Sequence, residues 1–255
     1  MTTRTTARKP GEPTWIDLVT PDLEGAKRFY HDLFGWEYVD TGEDFGHYNM
    51  AHLQGRNAAG MNALQPGQEM PSVWTIYFST DDADADAARV TALGGQVYFA
   101  PMTVGDSGRM VVCADPTGAA FGLWQADQHI GAAVENEHGG IAWCEVNTPD
   151  MNAARDFYTE LFGLTAQQME GMAYYMLQHG DEMLCGIMQM DEQWEGIPPH
   201  WMGYFGVDNT DAALEKVVAG GGNVLVPAFD MAYGRMAVIA DPYGAAISIV
   251  QLAAA

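Results

Sequence analysis

The sequence predicts an α+β fold made of four βαβββ modules. Three observations carry this: the chain repeats itself at roughly half its length, each half repeats more faintly within itself, and every repeat opens on an alternating strand that runs into a helix cap.

The repeat of the halves is the plainest signal. The segment WIDLVTPDLEGAKRFYHDLFGW from Trp15 returns as WCEVNTPDMNAARDFYTELFGL from Trp143, 128 residues later. Gly108-Arg109-Met110 returns as Gly234-Arg235-Met236, 126 residues later, followed each time by Ala-Asp-Pro-x-Gly-Ala-Ala. Only short loop changes therefore separate the halves. Within each half, VWTIYFSTDDADA from Val73 and HWMGYFGVDNTDA from His200 repeat the pattern seen at Trp15 and Trp143. Modules begin near Trp15, Trp74, Trp143 and Trp201. This divides the chain into a tail (1–12), a first domain (13–126), a linker (127–139) and a second domain (140–255).

Each element has a local reason. Asp22, Asp81, Asp150 and Asp208 stand where a helix needs an N-cap, offering a side-chain oxygen to unpaired backbone N–H groups. Leu23, Ala26, Tyr30 and Leu33 then recur at helical spacing until Gly35 stops the run, and Gly94-Gly95 and Gly220-Gly221-Gly222 stop two of its counterparts. Three short strands should follow each helix. In modules two and four the last two are joined by Asp115-Pro116-Thr117-Gly118 and Asp241-Pro242-Tyr243-Gly244, in which Pro presets the second turn position and Gly suits the fourth.

Composition excludes several classes of function. The 255 residues are 48% hydrophobic and 18% charged, which suits packed cores, and no apolar run approaches the ~20 residues of a membrane span. The polar start lacks the apolar region of a signal peptide, so a cytoplasmic protein is expected. Cys113, Cys144 and Cys185 form no CxxC pair and read as reduced core residues. A net charge of -23 repels phosphate backbones and anionic lipid while favouring cations, so neither nucleic acid nor membrane is an expected partner.

The strand with its helix-starting Asp, the helix ending Phe-Tyr-x-x-Leu-Phe-Gly, and the late Asp-Pro-x-Gly hairpin together resemble the vicinal oxygen chelate superfamily of glyoxalases, bleomycin-resistance proteins and dioxygenases. The resemblance covers nearly the whole chain after the tail. It implies two glyoxalase-like domains in which paired modules curve their mixed sheets into cups. Metal-dependent members of that family carry His on the first strand, seven residues before the helix-starting Asp, and Glu or His on the last strand. The corresponding first-strand residues here are Trp15, Trp74, Trp143 and Trp201, and the last-strand ones Gly60, Gly122, Gly186 and Ser248. None of these is a ligand of the His or carboxylate kind, so neither a metal nor another cofactor is expected. The seven histidines show no repeated spacing between halves, as a metal site inherited through duplication would.

Large flat side chains opposite Gly or Ser could receive a planar ring, or could simply fill the space of a lost metal centre. Strand alternation places Asp17 on the face of Trp15 and Glu145 on that of Trp143, giving each half one carboxylate. Arg109 and Arg235 recur before the hairpin strands. Either these acids accept a proton or a ligand amine and the arginines serve a ligand oxygen, or Asp17/Arg109 and Glu145/Arg235 are structural ion pairs. His47 and Tyr48, on a middle strand of module one, are further polar candidates. The leading expectation is a monomer or homodimer that binds planar, largely apolar small molecules without metal, cationic ones included, as in antibiotic sequestration or resistance. The alternative is an enzyme, either a metal-independent lyase or isomerase with Asp17 or Glu145 as its catalytic base, or a glyoxalase- or hydroxylase-type enzyme whose metal ligands lie at other positions; a third reading is an interaction protein with one working half.

Overall fold

In a computed structural model, residues 6–253 are described apart from 66, 68 and 69; the first five residues of the expected tail lie outside them. In chain order the first half runs β1 (Pro13–Thr20), α1 (Leu23–Phe34), β2 (Glu37–Asp40), β3 (Asn49–Leu53), β4 (Arg56–Ala63), β5 (Val73–Ser79), α2 (Ala83–Ala92), β6 (Gln96–Val104), β7 (Gly108–Ala114) and β8 (Ala120–Ala126). The second runs β9 (Ile141–Thr148), α3 (Met151–Phe162), β10 (Thr165–Gln168), β11 (Tyr174–His179), β12 (Glu182–Gln189), β13 (His200–Gly206), α4 (Thr210–Ala219), β14 (Asn223–Met231), β15 (Gly234–Ala240) and β16 (Ala246–Leu252). They form two eight-stranded mixed sheets, ordered β2-β3-β4-β1-β5-β8-β7-β6 and β10-β11-β12-β9-β13-β16-β15-β14. The α+β fold and the four modules stand as expected.

The compact units cut across the sequence halves. Among the described residues, one contains those up to Trp15 with Thr75–Gly131 and Cys144–Met202; the other contains those of Ile16–Trp74, Ala132–Trp143 and those from Gly203 onward. Each unit thus joins a helix of one half to a hairpin of the other.

In the second of these units Tyr30, from α1, donates its hydroxyl to Asp241 Oδ2 at 3.2 Å and accepts from Trp74 Nε1 at 3.0 Å. Around it pack Phe34, Trp36 and Phe205, with Phe34–Phe205 and Trp36–Phe205 centroids 5.2 and 5.4 Å apart. The other unit repeats the design: Tyr158 of α3 donates to Asp115 Oδ2 at 3.0 Å and accepts from Trp201 Nε1 at 2.8 Å, beside Phe78 and Phe121. The other carboxylate oxygen of each Asp is spent on its own turn. Asp115 Oδ1 accepts from the backbone N–H of Thr117, Gly118 and Ala119, and Asp241 Oδ1 from those of Tyr243 and Ala245. Every polar atom brought into these aromatic cores thereby has a partner, which is what burial demands.

Two helices start one residue later than expected. Asp22 and Asp150 cap α1 and α3 as anticipated, but α2 and α4 are capped by Asp82 and Asn209, which accept from Ala85 N–H and Ala212 N–H, and not by Asp81 and Asp208. Both residues of each pair are good caps, so sequence pattern alone did not choose between them. The slip has a large effect because strand side chains alternate with period two. It turns Trp74 and Trp201 to the helix side, where each is only 6% exposed under Tyr30 or Tyr158. Neither is a wall for a ligand.

Candidate functional site: two carboxylate–tyrosine pairs on the sheet faces away from the core helices

On β1 the fully buried Ile16 and Leu18 point to the core, which leaves Asp17 on the opposite face. Its strand partner in β4 is Gly60. Tyr48, just before β3, lies over that glycine and donates to Asp17 Oδ2 at 3.2 Å. A Cβ at Gly60 would stand 1.7 Å from the Tyr48 hydroxyl, so the absence of a side chain there is what admits the ring.

The second half builds the same group. Glu145 on β9 pairs with Gly186 on β12, and Tyr174 on β11 donates to Glu145 Oε2 at 2.9 Å. A Cβ at Gly186 would again meet the tyrosine hydroxyl at 1.7 Å. Tyr174 was missed in the sequence, although it lies 126 residues after Tyr48, the same interval that separates Gly60 from Gly186.

The hairpin-bearing modules vary the theme. Gly122 on β8 pairs with Tyr77 on β5, whose ring lies over it, and Ser248 on β16 pairs with Tyr204 on β13. Phe121 and Leu123 are fully buried, Phe121 against the rings of Phe157 and Tyr158, so Gly122 and Trp124 occupy the face away from the helix. Across that face the register continues Tyr77, Gly122, Val112, Phe99, with Trp124, Met110 and Met102 as the next row. Phe99 and Met102 are 63% and 55% exposed, so this is an open apolar wall.

The remaining candidates fall in different places. Trp15 shares a face with Asp17 along β1, is buried, and meets His129 edge-on with ring centroids 4.4 Å apart; Trp124 Nε1 donates to the His129 carbonyl at 2.7 Å. Trp143 is half-buried on the Glu145 side of β9. His47 precedes β3 in a left-handed conformation and is exposed, bonded to Asp40 at 3.0 Å, and so stands apart from the Tyr48–Asp17 pair.

The arginines correct the ion-pair expectation. Arg109 binds Asp84 and Thr103, both at 2.7 Å, and Arg235 binds Asp211 and Asp230, all in exposed surroundings. Each reaches the first turn of the preceding helix and not the first-strand acid, which accepts from a tyrosine hydroxyl. Because the Arg109 and Asp84 side chains are 32% and 64% exposed, Arg109→Met should lower unfolding free energy by less than ~1 kcal/mol, and by less still in high salt. Paired urea denaturation at low and high salt checks this.

His129 supplies a pH dependence. Burial beside Trp15 and Trp124 disfavours the imidazolium and lowers its pKa to about 4. A base depressed in the folded state binds its proton better when unfolded, so the stabilisation is full above the ordinary His range of about 6.5 and is lost as pH falls towards 4. Urea midpoints measured from pH 7 to 4 should fall less steeply in His129→Gln than in the parent chain.

The residues present do not fit a divalent cation. The four first-strand/last-strand pairs are Asp17/Gly60, Tyr77/Gly122, Glu145/Gly186 and Tyr204/Ser248, and tyrosine rings occupy the space above all three glycines. Among the described residues no group of three or more His, Cys, Asp or Glu side chains is placed to hold a metal. Two open surface hollows, about 460 Å³ by Met151 and Met169 and about 270 Å³ by Arg109 and Gln125, include neither carboxylate–tyrosine pair.

Comparison with known proteins agrees with the duplicated architecture. The sequence model of the Glyoxalase/Bleomycin resistance protein/Dioxygenase superfamily matches residues 13–123 and 140–249. The Mycobacterium tuberculosis protein named "Putative glyoxylase CFP32" is 42% identical over 251 residues, covering 95% of both chains. The Streptomyces peucetius "Anthracycline biosynthesis protein DnrV" is 37% identical over 259 residues, covering 95% of this chain and 94% of the relative. Among solved structures, the Mn(II)-bound glyoxalase from Novosphingobium aromaticivorans superposes with a TM-score of 0.66 at 16% identity, over 95% of this chain and 82% of that one. The 2,3-dioxygenase LapB from Pseudomonas sp. KL28 also gives 0.66, at 13% identity, over 97% and 93%. These two likenesses speak to fold alone. Among the described residues no helix is long and apolar enough to cross a membrane.

Proposed function

The chain belongs to the glyoxalase/bleomycin resistance protein/dioxygenase superfamily, and from that premise we propose that it binds planar, largely apolar small molecules without a metal, holding their polar groups on the Asp17–Tyr48 and Glu145–Tyr174 pairs. One observation carries the reading: the space of a metal-ligating side chain is taken twice by a tyrosine whose hydroxyl is already bonded to a carboxylate. Such a pair can accept a hydroxyl or ammonium proton at the acid and donate at a reoriented phenol, which suits a ligand with hydroxyl and carbonyl edges.

The apolar rows support the rest of the proposal. Phe99, Met102, Met110 and Val112 offer a face for ring stacking and sulfur–aromatic contact, a role that Trp74 and Trp201 do not have. The S. peucetius relative, 37% identical, is named for anthracycline biosynthesis. Sequestration or handling of a planar compound follows from the reading.

A second reading, a metal-independent lyase or isomerase, is favoured by the same pairs, because a carboxylate bonded to a phenol can also serve as a proton acceptor. Titration with 2,6-dihydroxyanthraquinone, followed by fluorescence quenching, together with elemental analysis of untagged protein, tests the proposal. Saturable quenching with no stoichiometric transition metal is expected. About one tightly held metal per chain, whose removal abolishes binding, would overturn it; turnover of the ligand would favour the enzyme.

A further inference from the structure

Duplication left the two carboxylate–tyrosine pairs nearly alike but their neighbours different. Two residues beyond Glu145 on β9, and so on the same face, stands Asn147; its counterpart beyond Asp17 is Val19. Asn147 is 1% exposed, and its Oδ1 is buried without a hydrogen-bond partner.

The amide is fixed in one orientation. His200 Nδ1 lies 2.8 Å from the Pro198 carbonyl, which can only accept, so Nδ1 carries the proton and Nε2 of the neutral ring is an acceptor. Asn147 Nδ2 donates to that Nε2 at 3.4 Å, and Oδ1 is therefore the atom left over. The first-half residue aligned with His200 is Val73. Both members of this polar pair thus belong to the second half alone.

A buried carbonyl oxygen without a donor is unfavourable, and natural structures seldom keep one without a use. We infer that Asn147 is a specificity-determining residue: held by His200, it accepts a hydrogen bond from a hydroxyl or N–H group of the ligand, two strand positions (roughly 6.5 Å) from the Glu145–Tyr174 pair. The second half then carries an acceptor for donor-bearing ligands beyond its carboxylate, which the first half, with Val19 and Val73 at these positions, lacks. This rests on the binding proposed above and adds to it the identity of the group recognised.

The test compares 2,6-dihydroxyanthraquinone, which can donate, with 2,6-dimethoxyanthraquinone, which cannot. Wild-type protein should bind the dihydroxy compound at least tenfold more tightly. Asn147→Val should cut that preference at least fivefold while leaving affinity for the dimethoxy compound unchanged or higher, since it removes the unpaired carbonyl. His200→Leu, which removes the acceptor that holds the amide and leaves Asn147 in place, should also lower the preference and serves if the Val variant does not fold. Equal affinities in the wild type, or an unchanged ratio in either variant, overturns this inference and leaves the binding proposal standing. Failure of the wild type to bind either compound overturns both.

Discussion

Asp115→Ala and Asp241→Ala should each lower unfolding free energy by ~3–5 kcal/mol, the largest stability losses expected from single polar substitutions in this chain. Each removes two services at once. The Oδ1 atoms hold the turns between β7 and β8 and between β15 and β16, through three and two backbone N–H groups respectively. The Oδ2 atoms accept from Tyr158 and Tyr30, which are fully buried and, through Trp201 and Trp74, tie a helix of one sequence half to a hairpin of the other. Tyr158→Phe and Tyr30→Phe keep the ring packing and leave one buried carboxylate oxygen and one indole N–H without that partner. Their cost should be smaller, ~1–3 kcal/mol each. Chemical denaturation of the four variants checks the order. Equal losses for Asp and Tyr variants would mean that the turn bonds contribute little.

Gly186→Ala should weaken binding of a hydroxylated planar ligand by tenfold or more, about 1.4 kcal/mol, although alanine adds only one carbon. That carbon falls 1.7 Å from the Tyr174 hydroxyl, so the ring must leave its place over β12 and release Glu145. The neighbour that yields is the far end of a side chain and not backbone, so the sheet should survive. Tyr174→Phe removes the same hydrogen bond by another route, and the double variant should therefore be no weaker than the more affected single one, a non-additivity expected of residues acting as one unit. Isothermal titration of the parent and three variants decides it. Strictly additive losses would mean that glycine and tyrosine act on the ligand separately. Gly60→Ala provides the parallel measurement in the first half, where Tyr48 stands over the glycine.

Much of this was legible in the sequence. The four modules, the Asp22 and Asp150 caps, the glycine stops and the two Asp-Pro-x-Gly turns follow from local chemistry: a side-chain oxygen within reach of free N–H groups, a left-handed residue at a helix end, a ring that presets φ. The faces of Asp17 and Glu145 followed from alternation, counted from caps that were placed correctly. The same counting failed for Trp74 and Trp201, because Asp81-Asp82 and Asp208-Asn209 each offer two acceptable caps and a step of one residue reverses every side chain of a strand. Only the tertiary structure decided that choice, by setting where each strand ends.

Only the tertiary structure, too, paired Tyr30 with Asp241 and Tyr158 with Asp115, residues that the sequence shows as two separate motifs 211 and 43 positions apart. It also gave the arginines to exposed helix acids and the first-strand carboxylates to tyrosines. The physical reason is common to these cases. Local sequence determines what a short segment can form, whereas the partner of a buried polar group is whichever complementary group the closed core brings within about 3 Å, and that is a property of how distant segments pack.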